Sequence, residues 1–215
     1  MKTYRVNDIF YSLQGEGHNT GRAAAFVRFA GCNLRCAFCD TSFDSFSEMS
    51  GEGIVAAIDG YGCRFVVLTG GEPTLQVDED FVDLLHSHGF EVAMESNGTR
   101  PAPRNLDWLT VSPKSLLPTS SDLSGGCAPL FAGWQQQANE LKIVFTDEAS
   151  LLQISSAIGL PLQPKEDREI FFYLQPCDTG DAHRNARITS ACVTYIKQHP
   201  HWRLSLQTHK LIGIE

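Results

Sequence analysis

The chain has 215 residues, and its hydrophobic fraction of 42% is ordinary for one globular domain spanning residues 1–215. Its 17 Lys and Arg against 25 Asp and Glu give a formal net charge of −8, which argues against a surface that coats nucleic acid. The N-terminal stretch MKTYRVNDIFYSLQGEG has neither the apolar core of a signal peptide nor the length of a membrane span. We therefore expect a cytoplasmic protein with a small-molecule ligand and no membrane or nucleic-acid partner.

The predicted elements alternate between strands and helices along the chain. Strands are predicted at 23–31, 64–71, 91–98, 107–114, 140–145 and 169–176, and helices at 47–60, 77–88, 147–158 and 182–198, the last three opening after acidic residues. This alternation indicates a parallel sheet with right-handed crossovers. Six strands fall short of a closed eight-stranded barrel, so the sequence predicts an α/β fold with an open, partial (β/α) barrel of about six parallel strands.

The two ends of the chain carry polar segments outside this alternation. YSLQGEGHNTG is interpreted as a Gly-rich loop before the first strand, and RLSLQTHKLIGIE as a final strand. In the loop, Gln14 and Glu16 offer an amide and a carboxylate suited to the donor and acceptor edge of a guanine-like ring, although a plain surface turn also fits. Arg28 interrupts an apolar strand, and a buried Arg requires an anion such as a ligand carboxylate.

Three cysteines, Cys32, Cys36 and Cys39, follow the first predicted strand with the spacing Cys-x3-Cys-x2-Cys. Three thiolates can hold three irons of a [4Fe–4S] cluster and leave the fourth iron open to a small molecule. A structural zinc site would normally close with four ligands in two pairs, and a ferredoxin would supply a fourth cysteine. The remaining cysteines are isolated in the sequence: Cys63, Cys127, Cys177 and Cys192. The pattern indicates a reduced compartment and a cluster with one open iron.

With Phe38 just before its last cysteine, this stretch resembles the signature of the radical S-adenosylmethionine (SAM) superfamily. The resemblance implies that the open iron chelates the amino and carboxylate groups of SAM. One electron from the cluster then splits SAM to methionine and a 5′-deoxyadenosyl radical. Phe38 is expected to contact SAM, and the hydroxyl of Thr41 beside the open iron could complete the ligand shell of Mg²⁺.

Polar residues follow the other predicted strands at the ends where such folds gather ligands. In TGGEPT, Gly70 and Gly71 let the backbone approach a ligand closely, and Glu72 can accept a hydrogen bond from the SAM ammonium, although a plain turn is the alternative. Ser96 and Asn97 are expected to contact the ribose or the methionine carboxylate of SAM. Ser112 and Lys114 are expected to bind that carboxylate, and Gln175 is expected to face the adenine. For each of them alone, a solvated loop residue is as good an explanation.

Seven segments together resemble the 7-carboxy-7-deazaguanine synthase family of queuosine biosynthesis, from near the first residue to the last. They are IFYSLQGEGHNTG, FVRFAGCNLRCAFCDT, TGGEPTLQ, ESNGT, VSPK, YLQP and LSLQTHKLIGIE. The resemblance implies a SAM-dependent lyase stimulated by Mg²⁺ that contracts the ring of 6-carboxy-5,6,7,8-tetrahydropterin with loss of ammonia. It also implies a homodimer reduced by flavodoxin or ferredoxin.

The same resemblance implies the substrate-binding residues, with Arg28 against the substrate carboxylate and the main-chain carboxylate of Glu215 as a further ligand. The full set is Leu13, Gln14, Gly15, Glu16, Arg28, Thr69, His209 and Glu215. Two other classes remain open on the cysteine pattern alone. One is an enzyme that installs a glycyl radical on a partner protein, and the other is a non-enzymatic iron–sulfur electron carrier or sensor.

Overall fold

The structure is a computed structural model and describes residues 2–36, 39, 45–116, 126–160 and 169–214. The strands in these ranges are β1 (Thr3–Leu13), β2 (Ala23–Phe29), β3 (Ser47–Ser50), β4 (Phe65–Gly70), β5 (Glu91–Ser96), β6 (Trp108–Val111), β7 (Ser115–Leu116), β8 (Gly126–Cys127), β9 (Glu140–Phe145), β10 (Phe171–Pro176) and β11 (Trp202–Leu204). The α-helices are α1 (Gly51–Asp59), α2 (Glu79–Ser87), α3 (Trp134–Gln137), α4 (Glu148–Ala157), α5 (Ala182–Gln198) and α6 (Thr208–Ile212).

Nine of these strands form one open sheet in the order β11-β10-β9-β6-β5-β4-β2-β1-β3. The seven strands from β2 to β11 run parallel to their neighbours, whereas β1 pairs antiparallel with β2 and β3 antiparallel with β1. All six predicted strands lie in the parallel part, and the sheet is not closed. The predicted open, partial barrel is therefore confirmed, with one parallel strand more than expected.

The two faces of the sheet differ in chemistry because successive side chains of a strand point to opposite sides. On β9, Leu141, Ile143 and Phe145 join the main hydrophobic core, while Glu140 and Lys142 alternate with them and face the other way. The same alternation on β2, β4 and β5 turns Arg28, Thr69 and Glu95 away from the main core. We call the side that carries these residues the polar face.

Helices α1, α2, α4 and α5 contribute their apolar side chains to the main core. Asp78, Asp147 and Asp181 each accept a hydrogen bond from a backbone N–H in the first turn of α2, α4 and α5. The prediction that these helices open after acidic residues is thereby confirmed. Within the described residues, no helix is both long and apolar enough to cross a membrane.

Three predicted segments differ from the structure. Residues 3–13 precede the supposed first strand but form β1, whose alternate residues are exposed, so the segment lacks the continuous apolar run of a buried strand. Residues 47–50 were predicted as helix but form β3, which pairs antiparallel with β1, and the helix begins only at Gly51, with Ser50 as its N-cap. The final strand predicted from RLSLQTHKLIGIE is confirmed only at its start: Arg203 and Leu204 belong to β11, whereas residues 208–212 are helical.

Candidate active site

A cavity of about 370 Å³ opens where the carboxyl ends of the parallel strands meet. It is lined by seventeen of the residues that the sequence predicts for the site: Leu13, Gln14, Gly15, Glu16, Arg28, Cys32, Cys36, Cys39, Thr69, Gly70, Gly71, Ser96, Asn97, Ser112, Lys114, Gln175 and His209. Three further predicted residues lie outside the described ones: Phe38, Thr41 and Glu215. The fold thus brings segments from both ends of the chain to one cavity.

The three cysteines of the motif line this cavity together. Leu34 N donates a hydrogen bond to Cys32 Sγ at 3.4 Å, and Cys39 N donates to the Cys36 carbonyl at 3.2 Å. Burial raises the pKa of the Cys32 and Cys36 thiols. Among the described residues, no three Asp, Glu, His or Cys side chains lie close enough together to hold one metal ion. A cubane cluster does not require this, because it uses one cysteine for each of three irons. Three cysteine thiols at one cavity therefore fit a [4Fe–4S] cluster.

The Gly70–Gly71 turn brings the end of β4 against the cysteine loop. Gly71 N donates to the Phe29 carbonyl, and Glu72 N donates to the Gly31 carbonyl, both at 2.9 Å. A Cβ on Gly71 would lie 2.0 Å from the Gly31 carbonyl oxygen, and Gly70 has a φ of 109° that favours glycine. The two glycines hold the cysteine loop beside the strand end.

Glu72 is fully buried and does not line the cavity. Its Oε1 accepts hydrogen bonds from Thr74 N, Thr74 Oγ1 and Ser96 Oγ at 3.1, 2.6 and 2.8 Å, and its Oε2 accepts one from Asn97 N at 2.8 Å. The Asn97 side chain in turn donates to Asn33 Oδ1 at 3.0 Å. In this arrangement Glu72 ties the ends of β4 and β5 to the cysteine loop.

Two further strand ends offer buried polar groups to the cavity. Lys114 Nζ donates to Ser112 Oγ at 2.8 Å, and burial, with the nearby charge of Lys142, lowers the pKa of Lys114. Gln175 is buried, and its Oε1 accepts a hydrogen bond from Ser205 Oγ at 3.1 Å. A partly buried ammonium beside a hydroxyl is chemically suited to a carboxylate such as that of the SAM methionine.

Acidic side chains surround Lys142 deeper in the cavity. Lys142 Nζ contacts Glu16 Oε2 and lies 3.5 Å from Glu95 Oε1, which also accepts a hydrogen bond from Gln14 Nε2 at 3.0 Å. Burial alone would raise the pKa of Glu16, but the attraction of Lys142 outweighs it and lowers that pKa to about 2. Glu140 lies two residues before Lys142 on the same side of β9, and burial raises its pKa to about 7.

The segment before and within α6 is attached to the N-terminal loop. The Gly15 carbonyl accepts hydrogen bonds from Thr208 N and Thr208 Oγ1, both at 3.0 Å. Gly17 N donates to Ser205 Oγ at 2.9 Å. The His209 ring packs against Gly15 so closely that a Cβ added at Gly15 would lie 2.1 Å from His209 Nδ1. Residues 14–17 and 205–209 therefore form one wall of the cavity.

Arg28 differs from the prediction in its burial. Its side chain is 35% exposed, stacks on Phe10 at 4.5 Å from the ring centroid, and lies 3.9 Å from Asp8. The expectation that it is a buried cation in need of an anion was therefore wrong. A partly exposed guanidinium that lines a cavity can still bind a carboxylate there.

Glu95 and Lys142 are among the cavity residues that sequence reasoning missed. The signal for Lys142 was a single charge inside the apolar strand ELKIVF, the same kind of signal that singled out Arg28. Glu95 stands one residue before the predicted Ser96 and points to the opposite side of β5.

The comparisons with known proteins agree with this geometry. A profile of the Radical SAM superfamily matches residues 26–117. A 7-carboxy-7-deazaguanine synthase from Bacteroides thetaiotaomicron is 42% identical over 211 residues, covering 98% of each chain, and one from Caulobacter vibrioides is 38% identical over 234 residues, covering 99% of each. The crystal structure of QueE from Escherichia coli matches with a TM-score of 0.77 at 29% identity, covering 95% of this chain and 93% of that one.

An open, mostly parallel sheet with three cysteines at its strand-end cavity defines a radical SAM enzyme, a class that uses a [4Fe–4S] cluster and SAM. Within that class, the near full-length similarity shows that the chain belongs to the 7-carboxy-7-deazaguanine synthase family. Membership decides against the glycyl-radical activating enzyme and the electron carrier.

We predict that Gly15→Ala displaces His209 from the cavity wall, because the new methyl group and the ring would occupy the same space. The KM for the substrate should rise roughly 10- to 100-fold, as expected for an ångström-scale misplacement of a binding group. Steady-state kinetics measure the effect. Gly60→Ala is the matched control, since its Cβ would meet no atom within 4 Å. Equal KM values for the two variants would contradict the prediction.

Glu140 should make the free energy of unfolding depend on pH. With its pKa raised to about 7, the folded protein keeps this proton between pH 4.5 and 7 while the unfolded chain releases it, so stability falls as pH rises through that interval. Glu140→Gln removes this dependence. Urea unfolding from pH 5 to pH 8 should show the wild type losing roughly 1–3 kcal/mol relative to the variant. Exposed Glu48→Gln serves as control and should follow the wild type.

Proposed function

We propose that the chain converts 6-carboxy-5,6,7,8-tetrahydropterin to 7-carboxy-7-deazaguanine and ammonia, as a step of queuosine biosynthesis. The observation that carries the proposal is that the three cysteines, Arg28, and the pair Gln14 and Glu16 all line one cavity. Gln14 and Glu16 offer an amide and a carboxylate that can pair with a guanine-like ring. Relatives that bear the name of this activity match the chain over nearly its whole length.

At the cofactor end, Cys32, Cys36 and Cys39 would hold the cluster, which together with SAM supplies a radical able to abstract hydrogen from the substrate. Lys114, which donates a hydrogen bond to Ser112, would bind the methionine carboxylate. The rest of SAM would contact the backbone of Gly70 and Gly71. It would also contact the side chains of Ser96 and Asn97 at the end of β5 and the amide of Gln175 on β10. Glu72, which is fully buried, would act by fixing these strand ends and not by contact.

At the substrate end, Arg28 would bind the pterin carboxylate. Among the described residues its ion-pair partner is Asp8, which lies 3.9 Å away, and Arg28 lines the cavity. Thr69 is the register partner of Arg28 on the neighbouring strand and would place a hydroxyl beside it. The segment Leu13–Glu16 would line the pyrimidine ring of the pterin, with the polar side chains of Gln14 and Glu16 facing the edge of the ring. His209 would cover the ring from the C-terminal segment.

Several parts of the proposal concern groups that the described residues do not include. Mg²⁺ would bind at Thr41, and the main-chain carboxylate of Glu215 would reach the pterin. We further propose a single-domain enzyme that works as a homodimer in the cytoplasm, with flavodoxin or ferredoxin as its electron donor.

The proposal is tested by anaerobic turnover. The reconstituted protein is mixed with SAM, Mg²⁺, a chemical reductant and 6-carboxytetrahydropterin, and mass spectrometry follows the loss of ammonia from the pterin. Cys36→Ala should abolish turnover, because the cluster loses one ligand. Arg28→Ala should raise KM roughly 10- to 100-fold, the usual range for a lost hydrogen bond to a charged group.

Arg64→Ala is the matched control, since Arg64 pairs with Asp59 at 2.6 Å on the surface and does not line the cavity. It should leave both kinetic constants unchanged. Cleavage of SAM without any change in the pterin would contradict the proposed substrate, and an unaltered KM in Arg28→Ala would contradict the role of Arg28.

A further inference from the structure

Lys142 is a buried cation on the polar face of β9, and its side chain is only 5% exposed. Its ammonium contacts Glu16 from the loop after β1 and lies 3.5 Å from Glu95 at the end of β5. Both carboxylates line the cavity. One buried charge therefore connects two acidic side chains from elements that are distant in sequence.

The two carboxylates are held in different ways. Glu16 is enclosed, because its Oε2 contacts Lys142 and its Oε1 accepts a hydrogen bond from Gln207 Nε2 at 3.0 Å. Glu95 is 26% exposed, and among the described residues every hydrogen bond found for it is made by Oε1. Its Oε2 is the acceptor that remains for a ligand.

The attraction between Lys142 and the carboxylates around it outweighs the effect of burial on Lys142 and Glu16. The titratable groups that face Lys142 from the surrounding elements are Glu16, Glu95, Glu140 and Lys114, and His209 faces Glu16. Burial opposes a charge on Lys142, but the attraction of the three carboxylates outweighs it and raises the Lys142 pKa. Lys142 in turn lowers the Glu16 pKa to about 2. At neutral pH, ionised carboxylates can only accept hydrogen bonds.

We propose that Lys142 is a positioning residue that sets substrate specificity: its contacts hold the Glu16 and Glu95 side chains together at the cavity, so that this part of the cavity accepts only a ligand edge bearing N–H donors. The inference rests on the proposed function and deepens it. A pterin presents a 2-amino group and a ring N–H, whereas a lumazine carries a second carbonyl in place of the amino group. That carbonyl would face an acceptor and leave both groups unpaired.

Removal of the Lys142 charge abolishes this selection. A buried carboxylate without its cation takes up a proton, because burial disfavours the charged form. A protonated carboxyl group donates a hydrogen bond and can pair with the lumazine carbonyl. The expected consequence is a loss of discrimination between the two rings, distinct from a uniform loss of affinity.

Equilibrium binding without reductant separates this effect from catalysis. The reconstituted enzyme with SAM and Mg²⁺ is titrated with 6-carboxypterin and with 6-carboxylumazine, which keep the carboxylate for Arg28 and do not turn over. The wild type should bind the pterin at least about tenfold more tightly. In Lys142→Met the ratio should fall below about threefold, and Lys142→Arg should retain most of the preference because it keeps the charge.

Two further variants distinguish a specificity role from a purely structural one. Lys142→Met/Glu16→Gln removes both members of the buried pair, so it should regain thermal stability over Lys142→Met while its discrimination stays low. Lys2→Met, which removes a half-exposed lysine paired with Asp78 on the surface, should leave the ratio unchanged.

An unchanged ratio in Lys142→Met or in the double variant would overturn the inference, as would a wild type that binds both rings equally. If the wild type binds neither compound, the proposed function itself fails. A pterin preference that is lost with Lys142 and kept with Lys142→Arg would support the assignment.

Discussion

The buried ammonium of Lys142 is the constraint on which the substrate end of this molecule depends. A charge taken out of water must be paired, and here the partners come from the loop after β1 and from β5. The pairing fixes the loop that carries Gln14 and Glu16 against the polar face of the sheet. Position, ionisation and hydrogen-bonding capacity of the cavity wall therefore share one physical cause.

The alternation of side chains along the strands separates this chemistry from the structural core. On β9, one set of alternate residues packs under the helices and the other carries Glu140 and Lys142. The ends of the same strands meet the cysteine loop, where Glu72 and the Gly-Gly turn secure the contacts by buried hydrogen bonds. One sheet thus positions both the cofactor end and the substrate end of the site.

Much of the site could be predicted because its chemistry is written locally. The cysteine spacing and the polar residues after each strand needed no knowledge of tertiary structure, and the parallel order of the strands follows from their alternation with helices. Glu95 and Lys142 could not be identified in this way, since their importance comes from meeting each other across the sheet. Arg28 shows the converse, because a charge in an apolar strand does not by itself say how deeply it is buried. The errors at β1 and α6 have the same origin: a strand with alternately exposed residues and a short helix held by distant contacts carry weak local signals.

The attachment of residues 205–209 to residues 14–17 also bears on how the protein is made. Four hydrogen bonds between described residues cross this seam and join residues 188 to 193 positions apart. Contacts of such long range form late, because the chain entropy lost in closing so large a loop must be offset by structure already in place. During synthesis the cysteine loop and the first parallel strands emerge long before the segment that completes the cavity wall. The nascent chain can therefore assemble its cofactor end while its substrate end is still unfinished.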